Sequence, residues 1–383
     1  MTQHPLKGIR VVEQGTFITG PAAGMFLADL GADVIKVERP ETGDPFRAFK
    51  GGLYSPHFQA YNRNKRSIAL DNRIGQKDRE IFEKLIQSAD VYIENFRPES
   101  AQRMGLDAAT LHTVNPRLIH CSISGFGPDG PYEDRPSYDT VTQAISGYLH
   151  LLLNPGNPRV IGPAIADAVT GFYAAYGVLG ALLKRALNPE DNMTVEVSML
   201  EAMSHFNIDS FTHYFAANEI MGPYSRPTAS QSYVVQCQDG QWLALHMSSP
   251  EKFWQGLALT IEQPTLFEDP RLADRNARLE NYEAIADLLK ETFKRKPRAE
   301  WCMALEKHDV PHATVNTAKD ALDDPQFKHL GIEISAEHPT MGLFKTIRSP
   351  ITYNQQRPLS VMAPPVLDEH RDEILKDLKN TDY

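Results

Sequence analysis

The chain has few cysteines and no excess of positive charge, and both shortages exclude classes of function. Three cysteines occur in 383 residues. Cys121, Cys237 and Cys302 are too far apart for a disulfide framework or a metal-binding motif, as is usual in a reducing cytosol. Lysine and arginine number 39 against 49 aspartate and glutamate residues, which gives a net charge of −10. The sequence therefore predicts a cytoplasmic protein that binds neither nucleic acid nor an anionic membrane.

Several well-known motifs are also missing. The sequence contains no His-Glu-x-x-His, so we expect no metal. It also contains no Gly-x-Ser-x-Gly, the motif of a nucleophilic serine in hydrolases. The glycines of the segment 15–24 lack the spacing of a dinucleotide fingerprint, and Pro21 stands where a phosphate-binding loop would need lysine. We therefore expect no permanently bound cofactor. The longest apolar stretch, 172–183, contains two glycines and is shorter than a membrane span requires.

The first half of the chain alternates strand and helix patterns. This alternation predicts an α/β fold with a Rossmann-like, mostly parallel sheet. Ligands of such sheets bind beyond the carboxyl ends of the strands. The predicted strands are 9–13, 33–38, 67–71, 90–96, 118–123 and 194–197, and the predicted helices are 21–30, 76–88, 139–150, 166–185 and 199–217.

The composition changes after a linker-like stretch at 222–228. Strand patterns at 232–237 and 241–246 flank Asp239-Gly240, which is a strong hairpin signal. We predict a large domain over 1–224, completed by about 326–383, and a small α+β domain over 225–325. Helices are predicted at 250–259, 282–292, 298–308 and 368–378.

One aspartate stands out by its uncharged surroundings. Asp167 lies where the apolar run 160–166 passes into an apolar helix, and the nearest basic residues are Arg159 and Lys184. Backbone N–H groups and the helix dipole favour an ionised carboxylate at such a position. From this pattern alone, Asp167 is either a helix N-cap or a nucleophile.

Basic residues follow several of the predicted strands. Cations at several strand ends of one sheet indicate a phosphate-bearing ligand. A solvated rim with ion pairs to Glu38, Glu41 and Glu94 would give the same pattern. The residues concerned are Arg39, Arg47, Arg63, Lys65, Arg66, Arg97 and Arg103.

Ten segments stand in one order through the first 200 residues: 6–13, 20–21, 30–40, 43–45, 64–71, 89–98, 104–106, 124–127, 138–139 and 165–167. Each motif has low specificity by itself, but together they resemble the class III CoA-transferases, the family of formyl-CoA transferase and carnitine CoA-transferase. The resemblance implies transfer of CoA from an acyl-CoA to a carboxylic acid, with CoA as substrate. Asp167 would attack the thioester to give a mixed anhydride and then an aspartyl-CoA thioester, which the acceptor attacks.

The resemblance also implies contacts and an assembly. Tyr138 and Asp139 would lie near Asp167, and two ring-like chains would interlock as a homodimer. CoA would contact Phe17, Arg39, Leu70, Asn95, Phe96 and Arg103, with the two arginines at phosphates. From its place beside the loop 43–45, Arg47 is a candidate contact for the acceptor carboxylate.

Departures from the family's patterns bear on specificity. Ile18 stands where formyl-CoA transferase has glutamine, and no glycine-rich lid lies between Pro227 and Tyr233, which argues against formyl or oxalyl substrates. The related α-methylacyl-CoA racemases use a histidine where Tyr138 stands, and a phenol with a pKa near ~10 is a poor base. Racemase-type proton transfer, a non-catalytic CoA- or nucleotide-binding protein and, more remotely, a dehydrogenase remain as alternatives.

Overall fold

The computed structural model describes residues 4–154, 156–188, 193–357 and 359–380. Two short 3₁₀ helices, Pro45–Ala48 and Pro264–Phe267, accompany the longer elements. The strands are β1 (Arg10–Glu13), β2 (Asp33–Glu38), β3 (Lys65–Ala69), β4 (Val91–Glu94), β5 (Ile119–Ser124), β6 (Met193–Ser198), β7 (Ser232–Gln236), β8 (Trp242–His246), β9 (His312–Thr314), β10 (Glu333–His338) and β11 (Gly342–Ile347). The helices are α1 (Thr19–Asp29), α2 (Pro56–Tyr61), α3 (Arg79–Gln87), α4 (Pro98–Met104), α5 (Ala108–Val114), α6 (Asp139–Ile145), α7 (Tyr148–Leu152), α8 (Ile165–Leu187), α9 (Met199–Phe206), α10 (Ile208–Ala217), α11 (Ser225–Ser230), α12 (Glu251–Thr260), α13 (Arg275–Glu280), α14 (Tyr282–Phe293), α15 (Arg298–Lys307), α16 (Ala318–Asp323), α17 (Pro325–Leu330) and α18 (Arg371–Lys379).

Strands β1 to β6 form one sheet in the order β3-β2-β1-β4-β5-β6. Every neighbouring pair is parallel, and Val12, for example, pairs with Ile35 on one side and Tyr92 on the other. This is the strand order of a doubly wound Rossmann sheet, so the predicted fold class is confirmed. The winding reverses between β1 and β4, and that switch point is where such sheets bind ligands.

Alternate side chains of this sheet face two different cores. Val11 of β1 belongs to a buried cluster that also contains Val178 of α8. The next residue, Val12, points to the other face and belongs to a cluster with Phe82 of α3 and Ile374 of α18. Because side chains alternate along a strand, each short apolar run supplies both cores at once.

Helix α8 approaches α1 so closely that only glycine fits at the contact. A Cβ atom at Gly171 would lie 2.7 Å from the Ala22 Cβ and 2.8 Å from the Thr19 carbonyl oxygen. Asp167 lies four residues earlier, on the same face and one turn nearer the start of α8. The contact therefore brings Asp167 towards the first turn of α1.

Helix α8 is longer than the apolar stretch 172–183, which was judged too short to span a membrane. It has 23 residues and a mean hydropathy of 1.4 over its most apolar window, which is enough to cross a membrane by length and composition. In the protein, however, 44% of that window is buried. The core helix of a soluble protein passes the same test, so this is weak evidence for a span.

Three predicted segments differ from the structure in more than the position of their ends. The helix expected over 139–150 is divided into α6 and α7 near Gly147, which has a left-handed φ of 77°. The helix expected over 199–217 is divided at Asn207. The stretch 222–228 was expected as a linker, but it includes the start of α11.

The chain divides into two compact units, one with residues 1–149, 160–208 and 330–383 and the other with 150–159 and 209–329. The second unit has an antiparallel sheet in the order β7-β8-β9, over a core that includes Trp254 and Trp301. The predicted hairpin at Asp239-Gly240 is confirmed by the β7–β8 pairing. The predicted small domain, 225–325, lies within this unit but leaves out the segments 150–159, 209–224 and 326–329.

Candidate active site

A cavity of about 240 Å³ lies at the carboxyl edge of the parallel sheet. Its walls come from the segments after β1, β4 and β5, from the loop before α6, and from the start of α8. Since the winding reverses between β1 and β4, this is the place where the fold predicts a ligand. The lining residues are 16–19, 95–98, 123–125, 133, 135–138, 167 and 199.

Asp139, and not Asp167, caps helix α8. Asp139 Oδ1 accepts hydrogen bonds from the backbone N–H groups of Ala166 at 2.8 Å and Asp167 at 3.4 Å. Its Oδ2 accepts from the Gln143 side-chain amide at 2.6 Å. The N-cap position is occupied by Ala164. The N-cap alternative for Asp167 is therefore wrong, and backbone N–H groups expected to keep Asp167 ionised bond to Asp139 instead.

The Asp167 carboxyl group has an unusual acidity. Burial, and then the negative charge of Asp139, raise the pKa of Asp167 from its ordinary 3.8 to about 7. No hydrogen bond from a described residue offsets these two effects. Tyr61 of α2 is near enough that the charges of Asp167 and Asp139 add to burial in raising the pKa of its phenol. A carboxylate that loses its proton near neutral pH is more basic, and so more nucleophilic, than an ordinary aspartate.

The loop between β1 and α1 is held by Asn95. The Asn95 side-chain oxygen accepts from the Thr16 N–H at 2.9 Å, and its amide donates to the Thr16 carbonyl and the Thr19 hydroxyl, both at 2.8 Å. Phe17 follows with a left-handed φ of 62°. Its ring lies edge-on to the ring of Tyr138, with 6.3 Å between centroids. Both rings form part of the cavity wall that includes Asp167.

The structure places three of the six predicted CoA contacts in this cavity. Phe17, Asn95 and Phe96 line it. Arg39 and Arg103 are exposed and lie outside the lining, and the Leu70 side chain is buried in the core beneath α3. Tyr138 and Asp139 were predicted to lie near Asp167. Tyr138 lines the cavity, while Asp139 accepts hydrogen bonds from the backbone of α8.

Arg47 does not fit its predicted role. Its side chain is fully buried, and Nε and Nη2 donate to the two carboxylate oxygens of Glu38 at 2.7 Å each. Nη1 donates to the carbonyls of Leu53 and Pro365, and the guanidinium lies 3.6 Å from the centre of the Phe58 ring. A guanidinium with these partners cannot meet an acceptor carboxylate, so we withdraw that assignment.

Two arginines outside the predicted contact set line the cavity. Arg97 and Arg135 both have exposed side chains, and Arg135 lies over the ring of Tyr132 at 4.9 Å. Arg97 belongs to the basic residues that follow the strands, so the sequence held a signal for it. Arg135 follows an irregular glycine- and proline-containing segment, and only the fold brings it to the cavity.

Among the described residues, no group of three or more His, Cys, Asp or Glu side chains is arranged to hold a metal ion. All three cysteines are free, and Cys121 and Cys237 are buried.

Comparisons with known proteins agree with this architecture. Residues 6–371 match CoA-transferase family III. The chain is 33% identical to the succinate–glutarate CoA-transferase of Agrobacterium fabrum, over 98% of this chain and 96% of that protein. It is 30% identical to the human succinyl-CoA:glutarate CoA-transferase, over 99% of this chain and 87% of that protein.

A solved structure gives the same result for the fold. The crystal structure of a CAIB/BAIF family protein from Brucella suis is 33% identical, covers 98% of this chain and 100% of its own, and superposes with a TM-score of 0.87. The resemblance seen in the sequence is thereby confirmed. The chain belongs to CoA-transferase family III and is an enzyme that transfers CoA from an acyl-CoA to a carboxylic acid.

Proposed function

We propose that Asp167 is the covalent nucleophile of this transferase. A carboxylate oxygen of Asp167 attacks the thioester carbonyl, the C–S bond breaks, and CoA leaves as a thiolate with the bonding electrons. A mixed anhydride then joins the acyl group to Asp167. The thiolate attacks the aspartyl carbonyl, which releases the first acid and leaves an aspartyl-CoA thioester.

The acceptor acid completes the exchange by the reverse of these steps. Its carboxylate attacks the aspartyl thioester, and a second mixed anhydride forms as the thiolate leaves. The thiolate then attacks the acceptor's carbonyl carbon, the new acyl-CoA departs, and Asp167 returns as a carboxylate. Water is not a reactant in any of these steps, and an anhydride exposed to water would be hydrolysed.

One observation carries the proposal. Asp167 lines the cavity at the switch point of the sheet, with a pKa raised to about 7 by burial and by Asp139. At neutral pH about half of such carboxyl groups are ionised, and each is a stronger base than an ordinary carboxylate. Asp139 supports this state in two ways, because it holds the first turn of α8 and supplies the neighbouring negative charge.

We place CoA along the carboxyl edge of the sheet. Phe17, Asn95 and Phe96 would flank the pantetheine arm in the cavity, and the exposed guanidinium groups of Arg39 and Arg103 would meet phosphates. Leu70 is not among the contacts that we propose, since the whole residue is 2% exposed and its N–H donates to the Glu38 carbonyl at 2.9 Å. Arg97 and Arg135 add two further cations at the cavity.

We propose short dicarboxylic acids as the substrate class. The two transferases with 33% and 30% identity are named for succinate or succinyl-CoA and for glutarate. Ile18, which lines the cavity, stands where a glutamine would suit formyl or oxalyl groups. A panel with succinyl-CoA as donor should favour glutarate over formate, oxalate and butyrate, and equal rates for all four acids would contradict this assignment.

A homodimer is the assembly that we propose, and α8 supplies the support. Phe172, Tyr176, Leu183 and Leu187 are 59%, 67%, 63% and 72% exposed, and their spacing puts them on one face of the helix. An exposed apolar stripe of this kind is typical of a protein–protein interface. Light scattering after gel filtration should give twice the chain mass, and Leu183→Glu should lower it; a monomeric parent would overturn the assembly.

We also place the enzyme in the cytoplasm, because its three cysteines are free and reducing compartments keep thiols unpaired. Cell fractionation checks this directly.

The decisive experiment is direct detection of the adduct. The protein is incubated with succinyl-CoA, quenched in acid, and the peptide that contains Asp167 is analysed by mass spectrometry. We expect a CoA or succinyl adduct on this peptide, its loss in Asp167→Asn, and its retention in Asp209→Asn. Asp209 is a matched control, since it also lies in the first turn of a helix but outside the cavity. No adduct, together with unimpaired transfer by Asp167→Asn, would exclude the proposal.

A further inference from the structure

Six charged side chains are buried together under the loop that joins β1 to α1, and the proposed chemistry uses none of them. Three are acidic and three are basic, so the group is neutral as a whole. Each is 5% exposed or less. We call Glu13, Lys36, Glu38, Asp44, Arg47 and Lys65 the buried charge cluster.

Lys36 binds the beginning of the loop. Its Nζ lies 2.9 Å from the Gly15 carbonyl oxygen, 3.1 Å from Glu13 Oε1 and 3.2 Å from Asp44 Oδ2. Glu13 Oε1 also accepts from the Gly15 N–H at 2.7 Å. Both backbone polar groups of Gly15 are therefore held by the buried charge cluster.

Asp44 binds the next part of the loop. Its Oδ1 accepts from the backbone N–H groups of Phe17 at 3.2 Å and Phe46 at 2.9 Å. Phe17 has a left-handed φ of 62°, a conformation that a residue with a bulky side chain rarely adopts. The hydrogen bond to Asp44 is one of the contacts that hold Phe17 in this conformation, and Lys36 in turn neutralises Asp44.

The end of the loop is fixed from the same cluster. Lys65 Nζ donates to Glu13 Oε2 at 2.9 Å and to the Pro21 carbonyl oxygen at 2.8 Å. The loop also closes on itself, since a Cβ atom at Gly15 would lie 2.7 Å from the Cα of Gly20. The loop is thus anchored at its beginning, middle and end by buried charges.

The charges of Lys36 and Glu13 are stabilised by their partners, whereas burial lowers the pKa of Lys65 to about 8. Burial alone would lower the pKa of Lys36, but the negative charges of Glu13, Asp44 and Glu38 raise it above its ordinary value. Burial would likewise raise the pKa of Glu13, and Lys36 and Lys65 lower it instead. Removal of one partner therefore leaves a buried charge without compensation, which is strongly destabilising.

We propose that Lys36 is a positioning residue of the active site, acting through Gly15, Asp44 and Phe17. By fixing the loop, it sets the place of the Phe17 ring and backbone in the cavity wall beside the thioester that Asp167 attacks. The inference rests on the proposed role of Asp167. A displacement of about 1 Å in such a wall costs about 10²-fold in rate, because the reacting atoms are no longer aligned.

The test separates positioning from charge balance with two variants. Lys36→Met leaves Asp44 as a buried charge that has lost its cation, so we expect a lower melting temperature and a turnover lowered about 10²-fold. The double variant Lys36→Met/Asp44→Asn removes both charges. We expect it to regain most of the melting temperature while its turnover stays low, because the Lys36 anchor on the Gly15 carbonyl is still missing.

Hydrogen exchange of the peptide 14–20 gives a readout that does not depend on turnover. We expect exchange in this peptide to be at least tenfold faster in the double variant, with no change in the peptide 79–87. Arg278→Met is the matched control, since Arg278 is a buried cation paired with Glu251 at 2.6 Å in the second unit. It should lower the melting temperature but leave turnover of the folded enzyme and exchange in 14–20 unchanged.

The proposal is overturned if turnover recovers together with the melting temperature in the double variant, or if exchange in 14–20 does not change. Failure of the nucleophile assignment is distinguishable, because it shows as a missing adduct in the parent enzyme. The exchange measurement would still report whether Lys36 holds the loop.

Discussion

Replacement of Asp139 by asparagine changes the charge beside Asp167 and keeps the cap of α8. The asparagine carbonyl oxygen can accept from the Ala166 and Asp167 N–H groups as Asp139 Oδ1 does. The new amide meets Gln143, whose Oε1 is buried without a partner among the described residues. A flip of the Gln143 amide therefore lets Oε1 accept from the asparagine. The variant isolates the electrostatic effect.

The size of the effect follows from the two causes of the shift. Burial is the larger cause and Asp139 the smaller in raising the pKa of Asp167 from 3.8 to about 7. Loss of the Asp139 charge should therefore lower this pKa, while burial still holds it above the ordinary value. At pH 6 about one tenth of Asp167 is ionised in the parent, so a larger ionised fraction in the variant can make transfer faster there by at most about tenfold.

The assay is the pH dependence of kcat/KM for CoA transfer between pH 5 and pH 9, which reports groups of the free enzyme. The parent should lose activity below about pH 7, and Asp139→Asn should lose it at a lower pH. Circular dichroism and the melting temperature at pH 8 check that the fold is intact. If both enzymes lose activity at the same pH, Asp139 does not control the acidity of Asp167.

Three further predictions concern stability and packing. Asp167→Asn should raise the free energy of unfolding at pH 8 by at most about 4 kcal/mol, because folding raises the pKa of Asp167 from 3.8 to about 7 and the ionised carboxylate therefore destabilises the folded state. In urea titrations this gain in the free energy of unfolding should shrink as the pH falls from 7 and vanish below 3.8. Gly171→Ala should lower the free energy of unfolding by about 1–3 kcal/mol, because the new methyl group clashes with Ala22. Gly180→Ala, whose new methyl group would have nothing within 4 Å, should raise it by about 0.5–1 kcal/mol. A lower free energy of unfolding in both variants would contradict this packing. Asn95→Ala removes three hydrogen bonds to the loop and should lower kcat/KM for acyl-CoA, and an unchanged value would show that these bonds do not shape the cavity.

Most of the parallel sheet could be predicted from the sequence. Strands buried on both faces appear as short continuous apolar runs, and the prediction for β2, 33–38, agrees with the structure at both ends. The ends of other elements were less well predicted. Strand β3 begins at Lys65, before the apolar run that suggested it, because Lys65 is buried by its partner Glu13 and not by its own character. Helix α6 ends early because Gly147 adopts a left-handed conformation that periodicity does not reveal.

The candidate site could also be predicted only in part from the sequence. Asp167 could be singled out locally, since an aspartate between apolar runs is visible without a fold. The origin of its pKa could not, because Asp139 lies 28 residues away along the chain and reaches the start of α8 only in the folded protein. Partners that are distant in sequence leave no local pattern.

The sequence by itself determined the α/β class, the succession of strands and helices along the chain, and the presence of basic residues after the strands. Only the tertiary structure decided what each of those charges does. Arg47 and Arg97 each follow a strand of the parallel sheet, yet one is buried against Glu38 and the other lines the cavity. The physical reason is that a charged side chain is buried where folding brings it a compensating partner and stays exposed where it does not.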